Sequence, residues 1–162
     1  GLGDVYKRQS EYSMESCLSL NPIAAKMAYG YQPLLQRKFG YGKEQINSVF
    51  VSKAKEHVRS QYADVQLSLA QICERLGVSN SYFSTVFKKE TGKSFVSYVT
   101  DYRMEQAARL LIETNEKSYV IAQKVGYTDP NYFSYVFKRK FGVSPSKYRA
   151  EHIKSEKQVF EK

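Results

Sequence analysis

The chain has 162 residues and carries 25 Lys+Arg against 16 Asp+Glu, a formal charge of +9 that points to an anionic partner. Hydrophobic residues make up 42% of it, enough to bury a core, so a disordered tail is excluded; no run approaches the roughly 18 apolar residues of a membrane span, and the start lacks the layout of a secretory signal. Cys17 and Cys73 stand too far apart for a disulfide framework or a zinc-ligand spacing, and a soluble cytoplasmic protein without metal or cofactor is expected.

Asp4-Val5-Tyr6-Lys7-Arg8-Gln9 resembles the translation of a transposase end sequence used in preparing sequencing libraries. Residues 1–9 are therefore read as non-native, and the gene is expected to continue upstream, with an N-terminal domain missing. Residues 10–45 contain Pro22, Pro33 and a Gly40-Tyr41-Gly42 break and keep no apolar period. They read as a linker or a remnant of that domain, with at most one short helix over Ile23 to Tyr29 before Gly30 and Pro33. From Ile46 the spacing becomes helical: Phe50, Ala54 and Val58 recur every four residues, Val51 lies beside them, and Lys53, Lys55, Glu56 and Arg59 fill the other faces. This predicts an amphipathic helix ending near Gln61.

The remainder contains an internal repeat. Tyr82-Phe83-Ser84-Thr85-Val86-Phe87-Lys88-Lys89-Glu90-Thr91-Gly92-Lys93-Ser94 is matched fifty residues later by Tyr132-Phe133-Ser134-Tyr135-Val136-Phe137-Lys138-Arg139-Lys140-Phe141-Gly142-Val143-Ser144. Upstream, Ile72-Cys73-Glu74-Arg75-Leu76-Gly77 matches Ile121-Ala122-Gln123-Lys124-Val125-Gly126 at an offset of 49, so the second copy has one extra residue in its turn.

Each copy reads as a short helix, a tight turn and a second helix. In the first, Ser68 followed by Gln71 is a capping-box start, Leu69, Ile72 and Leu76 form the apolar stripe, and Gly77 is a left-handed stop, giving a helix over about Leu69 to Leu76. Ser79 caps a second helix that runs to about Thr91 and ends at Gly92. The repeat puts Asp129 at the same cap, with Pro130 at the first helical position, where a missing N–H does no harm. Gly142 ends that helix, and Ser94 and Ser144 cap the next ones, the latter followed by Pro145.

On the second helix of each copy, the apolar residues Phe83, Val86 and Phe87, and likewise Phe133, Val136 and Phe137, fall on one stripe. Opposite lie Ser81, Ser84, Thr85 and Lys88 in one copy and Asn131, Ser134, Tyr135 and Lys138 in the other. Hydroxyls and amides at i, i+3 and i+4 suit base edges in a major groove, with a lysine reaching a phosphate; an ordinary solvated face is the plain alternative, and the duplication and the charge excess favour the former. Between the copies, Phe95 to about Glu113 is helical in pattern, with Val99, Tyr102, Met104, Ala107, Ala108, Leu110 and Leu111 apolar. A helix of about 20 residues spans roughly 30 Å, close to the roughly 34 Å between successive major-groove faces on one side of B-DNA.

The residues from about Ile46 to Arg149 resemble the DNA-binding domain of the AraC/XylS family of bacterial transcription regulators. The resemblance is carried by Ile72 with Leu76-Gly77, Tyr82-Phe83-Ser84, Phe87 to Gly92, Arg103 with Ala107 and Leu110-Leu111, and Ile121-Ala122 with Val125-Gly126-Tyr127. Its densest part is Asp129 to Ser134 with Phe137-Lys138 and Gly142-Val143-Ser144-Pro145-Ser146-Lys147-Tyr148-Arg149. It implies an all-α fold of about seven helices, two homeodomain-like helix-turn-helix subdomains (46–93 and 115–150) joined by a linker helix (94–114), with 151–162 as a C-terminal tail. It also implies binding to double-stranded promoter DNA, contact with RNA polymerase, and dimerisation through the missing N-terminal part.

By the same resemblance, base contacts fall on Asn80, Ser81, Ser84 and Thr85 in the first recognition helix and on Asn131, Ser134 and Tyr135 in the second. None is an arginine, the commonest reader of guanine, and only Asn80 and Asn131 can pair bidentately with adenine, so water and DNA shape are expected to contribute. Lys88, Lys89, Lys93, Lys138, Arg139 and Lys147 are candidate phosphate neutralisers, each set against an ordinary solvated role. Ala54-Lys55-Glu56 with Leu67-Ser68-Leu69, and Thr91 to Phe95, look most similar to output domains of two-component response regulators; an effector-sensing upstream domain is the alternative.

Other conspicuous residues have plainer explanations. The chain has 14 Tyr and nine Phe, but Phe83, Phe87, Phe133 and Phe137 read as core rather than as base-stacking surfaces. Arg103 either contacts phosphate or pins the linker helix, the second being favoured, and Cys73 reads as a small buried apolar residue. His57 and His152 lack partners in sequence, and no phosphate loop, ligand cluster or nucleophile setting supports an enzyme. The rival from another class is a basic helical module for an acidic protein partner.

Overall fold

A computed structural model describes residues 42–160, with side chains through Ile153. The start read as non-native, the stretch 10–41 with its candidate helix over Ile23 to Tyr29, and Cys17 lie outside the described residues. Among those described there are seven α-helices and no strand: α1 (Lys43–Gln61), α2 (Leu69–Leu76), α3 (Asn80–Thr91), α4 (Phe95–Glu113), α5 (Ser118–Lys124), α6 (Pro130–Phe141) and α7 (Pro145–Phe160). None is long and apolar enough to cross a membrane.

The punctuation residues act as the repeat predicts. Ser68 Oγ accepts from Gln71 N at 3.4 Å, Ser79 Oγ from Tyr82 N at 3.2 Å, and Asp129 Oδ1 from Asn131 N at 2.8 Å, so α2, α3 and α6 each start on a side-chain cap. Gly77 N donates to Glu74 O at 3.2 Å and Val78 N to Cys73 O at 3.0 Å, and the second copy repeats this pair with Gly126 N to Gln123 O at 3.1 Å and Tyr127 N to Ala122 O at 2.9 Å. These are Schellman closures, and they need the positive φ of 66° at Gly77 and 87° at Gly126. The start of α1 differs from the expected Ile46. Gln45 Oε1 accepts from Gly42 N at 2.7 Å and Gly42 O from Ile46 N at 3.2 Å, so the helix is capped three residues earlier.

The described chain divides into two compact units. The first comprises residues up to Glu56 and Ser68–Phe95; the second comprises His57–Leu67 and everything from Val96 onward. In the first unit, Ile46, Phe50 and Ala54 of α1, Ile72, Cys73 and Leu76 of α2, and Phe83, Val86 and Phe87 of α3 are all buried. Phe83, Phe87 and Phe95 form a mutual aromatic contact with centroids 5.5–6.0 Å apart. Burial raises the Cys73 thiol pKa above its ordinary value, as suits a small apolar filler.

The core of the second unit is Met104, Ala107, Ala108 and Leu111 of α4, Ile121, Ala122 and Val125, Tyr127, and Phe133 and Phe137 of α6, with Tyr62, Leu110, Val136, Phe141 and Tyr148 packed against it. From Val96 onward α4 is therefore a core helix of this unit as well as a connector. Two arginines close the unit through backbone carbonyls. Arg103 Nε donates to Tyr62 O at 2.8 Å and Nη2 to Asp64 O at 2.7 Å, and Arg149 Nε donates to Leu111 O at 2.8 Å with Nη2 on Glu116 O. Each guanidinium fork satisfies carbonyls in the last turn of a long helix or just beyond it, where intrahelical donors run out.

Candidate nucleic-acid interface

In the first unit the burial of Phe83, Val86 and Phe87 fixes the rotation of α3 and leaves Asn80, Ser81, Thr85, Lys88 and Lys89 exposed, with Ser84 half-buried. The readers expected from the sequence thus share the face away from the core. Thr85 Oγ1 donates to Ser81 O at 3.0 Å, which spends its proton on its own helix and leaves the oxygen as an acceptor. Tyr82 is turned back: its hydroxyl donates to Asn47 Oδ1 at 2.6 Å, tying α3 to α1. Beside this contact an open groove of about 480 Å³ is lined by Lys43, Asn47, Ser79, Ser81, Thr85 and Lys89, among others. Lys43 falls in the stretch read as linker; the Gly42 and Gln45 capping pair is the local signal that the helix begins there.

In the second unit Phe133 and Phe137 are fully buried, and Asn131, Tyr135, Lys138 and Arg139 are exposed on α6, with Ser134 half-buried. Tyr132, the repeat partner of Tyr82, is also exposed, and its ring stacks on Tyr135 with centroids 6.4 Å apart. Tyr132 falls outside the i, i+3, i+4 and i+7 spacing of Asn131, Ser134, Tyr135 and Lys138, so face counting alone does not select it.

The basic candidates separate by their contacts. Lys88 and Lys89 occupy the last turn of α3, and Lys138 and Arg139 the last turn of α6, all exposed. Lys89 lies 3.9 Å from Glu44 and Lys147 3.9 Å from Glu151; both pairs are solvated and bind weakly. Lys93 is exposed beyond α3. Lys140, next in line to Arg139, behaves otherwise: its Nζ lies 3.0 Å from Asp101 Oδ1 and 3.1 Å from Glu105 Oε1, so it holds α6 to α4. Arg103 is likewise committed to carbonyls. Its guanidinium sits 5.6 Å from the Tyr127 ring centroid, and burial lowers its pKa and raises that of the Tyr127 phenol. His152 Nδ1 donates to Tyr148 O at 2.8 Å and its ring packs on Tyr148.

Comparisons with known proteins place this arrangement. The family described as "Helix-turn-helix domain" matches residues 72–151. The C-terminal domain of the two-component response regulator yesN from Fusobacterium nucleatum is 38% identical, with a TM-score of 0.59 over 60% of this chain and 95% of that one. The C-terminal domain of AraT, a response regulator from Geobacillus stearothermophilus, is 39% identical, with a TM-score of 0.62 over 63% of this chain and 84% of that one. The Msm operon regulatory protein of Streptococcus mutans serotype c is 35% identical over 111 residues, covering 67% of this chain and 40% of its own length. The chain spans about half the length of the curated relatives it matches. With two helix-turn-helix units built on one repeat and these relatives, the chain belongs to the AraC-type helix-turn-helix family of transcription regulators.

Proposed function

We propose that this chain is the DNA-binding output segment of a transcription regulator, which reads promoter DNA by placing α3 and α6 in adjacent major grooves. The observation that carries the reading is the duplicated recognition face. Each helix buries its aromatic stripe and exposes small polar groups or amides over its first turns, with paired cations on its last turn. Base edges are then met by Asn80, Ser81, Ser84 and Thr85 in one groove and by Asn131, Ser134 and Tyr135 in the next. Phosphates are met by Lys88, Lys89, Lys93, Lys138, Arg139 and Lys147, and the +9 charge supports attraction to the duplex as a whole.

The names of the two response-regulator relatives support a receiver domain as the source of the signal. RNA polymerase is the second partner this reading suggests, since a regulator bound at a promoter lies where the polymerase must bind.

The test is selection of duplexes from a random pool by the whole chain, followed by titration of the winner at several salt concentrations. The expected outcome is an asymmetric site with two preferred blocks about one helical turn apart, weakening steeply with salt. Salt-sensitive binding without any enrichment would contradict promoter reading and favour an acidic protein as the partner.

A further inference from the structure

The two recognition helices expose different chemistry at positions that the repeat makes equivalent. On α3, the Tyr82 hydroxyl is engaged by Asn47 and the next turn carries Thr85. On α6, the equivalent residues are Tyr132 and Tyr135, 57% and 61% exposed, their rings 6.4 Å apart and within 24° of parallel. Tyr132 is in turn 6.1 Å from Tyr127, a buried ring that meets Phe133 edge-on at 5.7 Å and carries the Arg103 guanidinium over its face. A line of aromatic contacts therefore runs from the core of the second unit to its surface and fixes the two outer rings. A tyrosine pair offers contact area at small entropic cost, having only two side-chain torsions per residue to fix.

We propose that Tyr132 and Tyr135 form an apolar plate that reads the 5-methyl groups of thymine, so that the second recognition helix selects thymine by contact while the first reads polar edges. The proposal rests on the promoter-reading function above. Thymine is the base that presents an apolar group in the major groove, and the other edges there are donors and acceptors that a ring would leave unpaired. The surroundings favour a duplex over a protein. Asn131, Ser134 and Lys138 share the outer face with the plate, and two rings fall far short of the roughly 800 Å² per partner of a stable protein interface. On α3 the equivalent residues are Tyr82, whose hydroxyl is held by Asn47, and Thr85, whose single methyl is a far smaller apolar surface, so the two-ring plate belongs to one block of the site.

The test uses the whole chain and its selected duplex, with thymines of each block replaced in turn by deoxyuridine, which removes the methyl and keeps every hydrogen-bonding group. Binding is followed by fluorescence anisotropy. Replacement in the block read by α6 is expected to weaken binding roughly fourfold per contacted methyl, and any loss in the other block is expected to be unaffected by substitutions at Tyr132 and Tyr135. Tyr132→Ala and Tyr135→Ala should each reduce that thymine-over-uracil ratio toward one, while Tyr135→Phe keeps it. Circular dichroism checks that these surface variants stay folded.

A selected site without thymine in either block, equal affinity for thymine and uracil duplexes, or a ratio that survives both alanine substitutions would overturn the plate while leaving promoter reading in place. Alanine variants that bind DNA normally but lose RNA polymerase would also overturn it, in favour of a protein partner. Absence of any sequence-selective binding would instead remove the underlying reading, and the plate with it.

Discussion

The guanidinium of Arg103 lies over the ring of Tyr127, 5.6 Å from its centroid, while its Nε and Nη2 donate to the carbonyls of Tyr62 and Asp64. In a chain with nine excess positive charges this is a cation whose donors are turned into the protein. The fork geometry is specific to arginine, because one planar group must reach two carbonyls and stack on a ring.

Arg103→Lys is accordingly expected to cost about 1.5–3 kcal/mol of stability, the range for hydrogen bonds to a charged group, and to leave the base preference of bound duplexes unchanged. Urea unfolding together with repeat duplex selection would check this. A stable variant with weakened DNA binding would return Arg103 to the phosphate contacts.

Gly126 has φ +87°, and a Cβ there would come within 2.9 Å of Tyr62 O and 3.0 Å of Arg103 Cζ. Gly142 has φ +79° and nothing within 4 Å of such a Cβ. Gly142→Ala should therefore lose only the left-handed penalty of about 1–2 kcal/mol, and Gly126→Ala distinctly more, because a backbone oxygen must move as well. Thermal melts of the two variants decide it, and equal losses would show that the contact at Gly126 relaxes freely.

Replacing Ser84 with Thr85, or Ser134 with Tyr135, by alanine in pairs should relax base preference several-fold in the corresponding block, since each good base contact is worth about 1 kcal/mol or more of discrimination. Their exposed or half-buried positions predict an unchanged fold. Competition binding against a panel of single-base variants reads the effect, and an undiminished preference would remove these residues from the list of readers.

Lys88→Ala and Lys138→Ala should weaken binding to all duplexes alike and lower the slope of log affinity against log salt by about one each. Lys140→Ala, in contrast, removes the partner of Asp101 and Glu105 and should act mainly on stability. Salt titrations on specific and scrambled duplexes separate the two cases; a sequence-selective loss at Lys88 or Lys138 would contradict a pure phosphate role.

The sequence by itself determined the repeated helices and their phase, while α1 begins three residues before the expected Ile46. Ser68, Ser79 and Asp129 as caps and Gly77, Gly126 and Gly142 as left-handed residues set the helix limits around them, because capping bonds and backbone φ are settled within four or five residues of chain. The spacing of Phe83 and Phe87, and of Phe133 and Phe137, likewise set which face turns inward. The tertiary structure decided what residues of the same type do. Lys140 turns to α4 while Lys138 and Arg139 stay exposed, because Asp101 and Glu105 stand opposite only the first of these. Tyr82 binds Asn47 of α1, whereas Tyr132 stacks between Tyr127 and Tyr135 and stays open to solvent. A repeat fixes the position of a residue within its helix; what that residue then meets depends on how the helices pack, as with Tyr82 and Asn47, 35 positions apart.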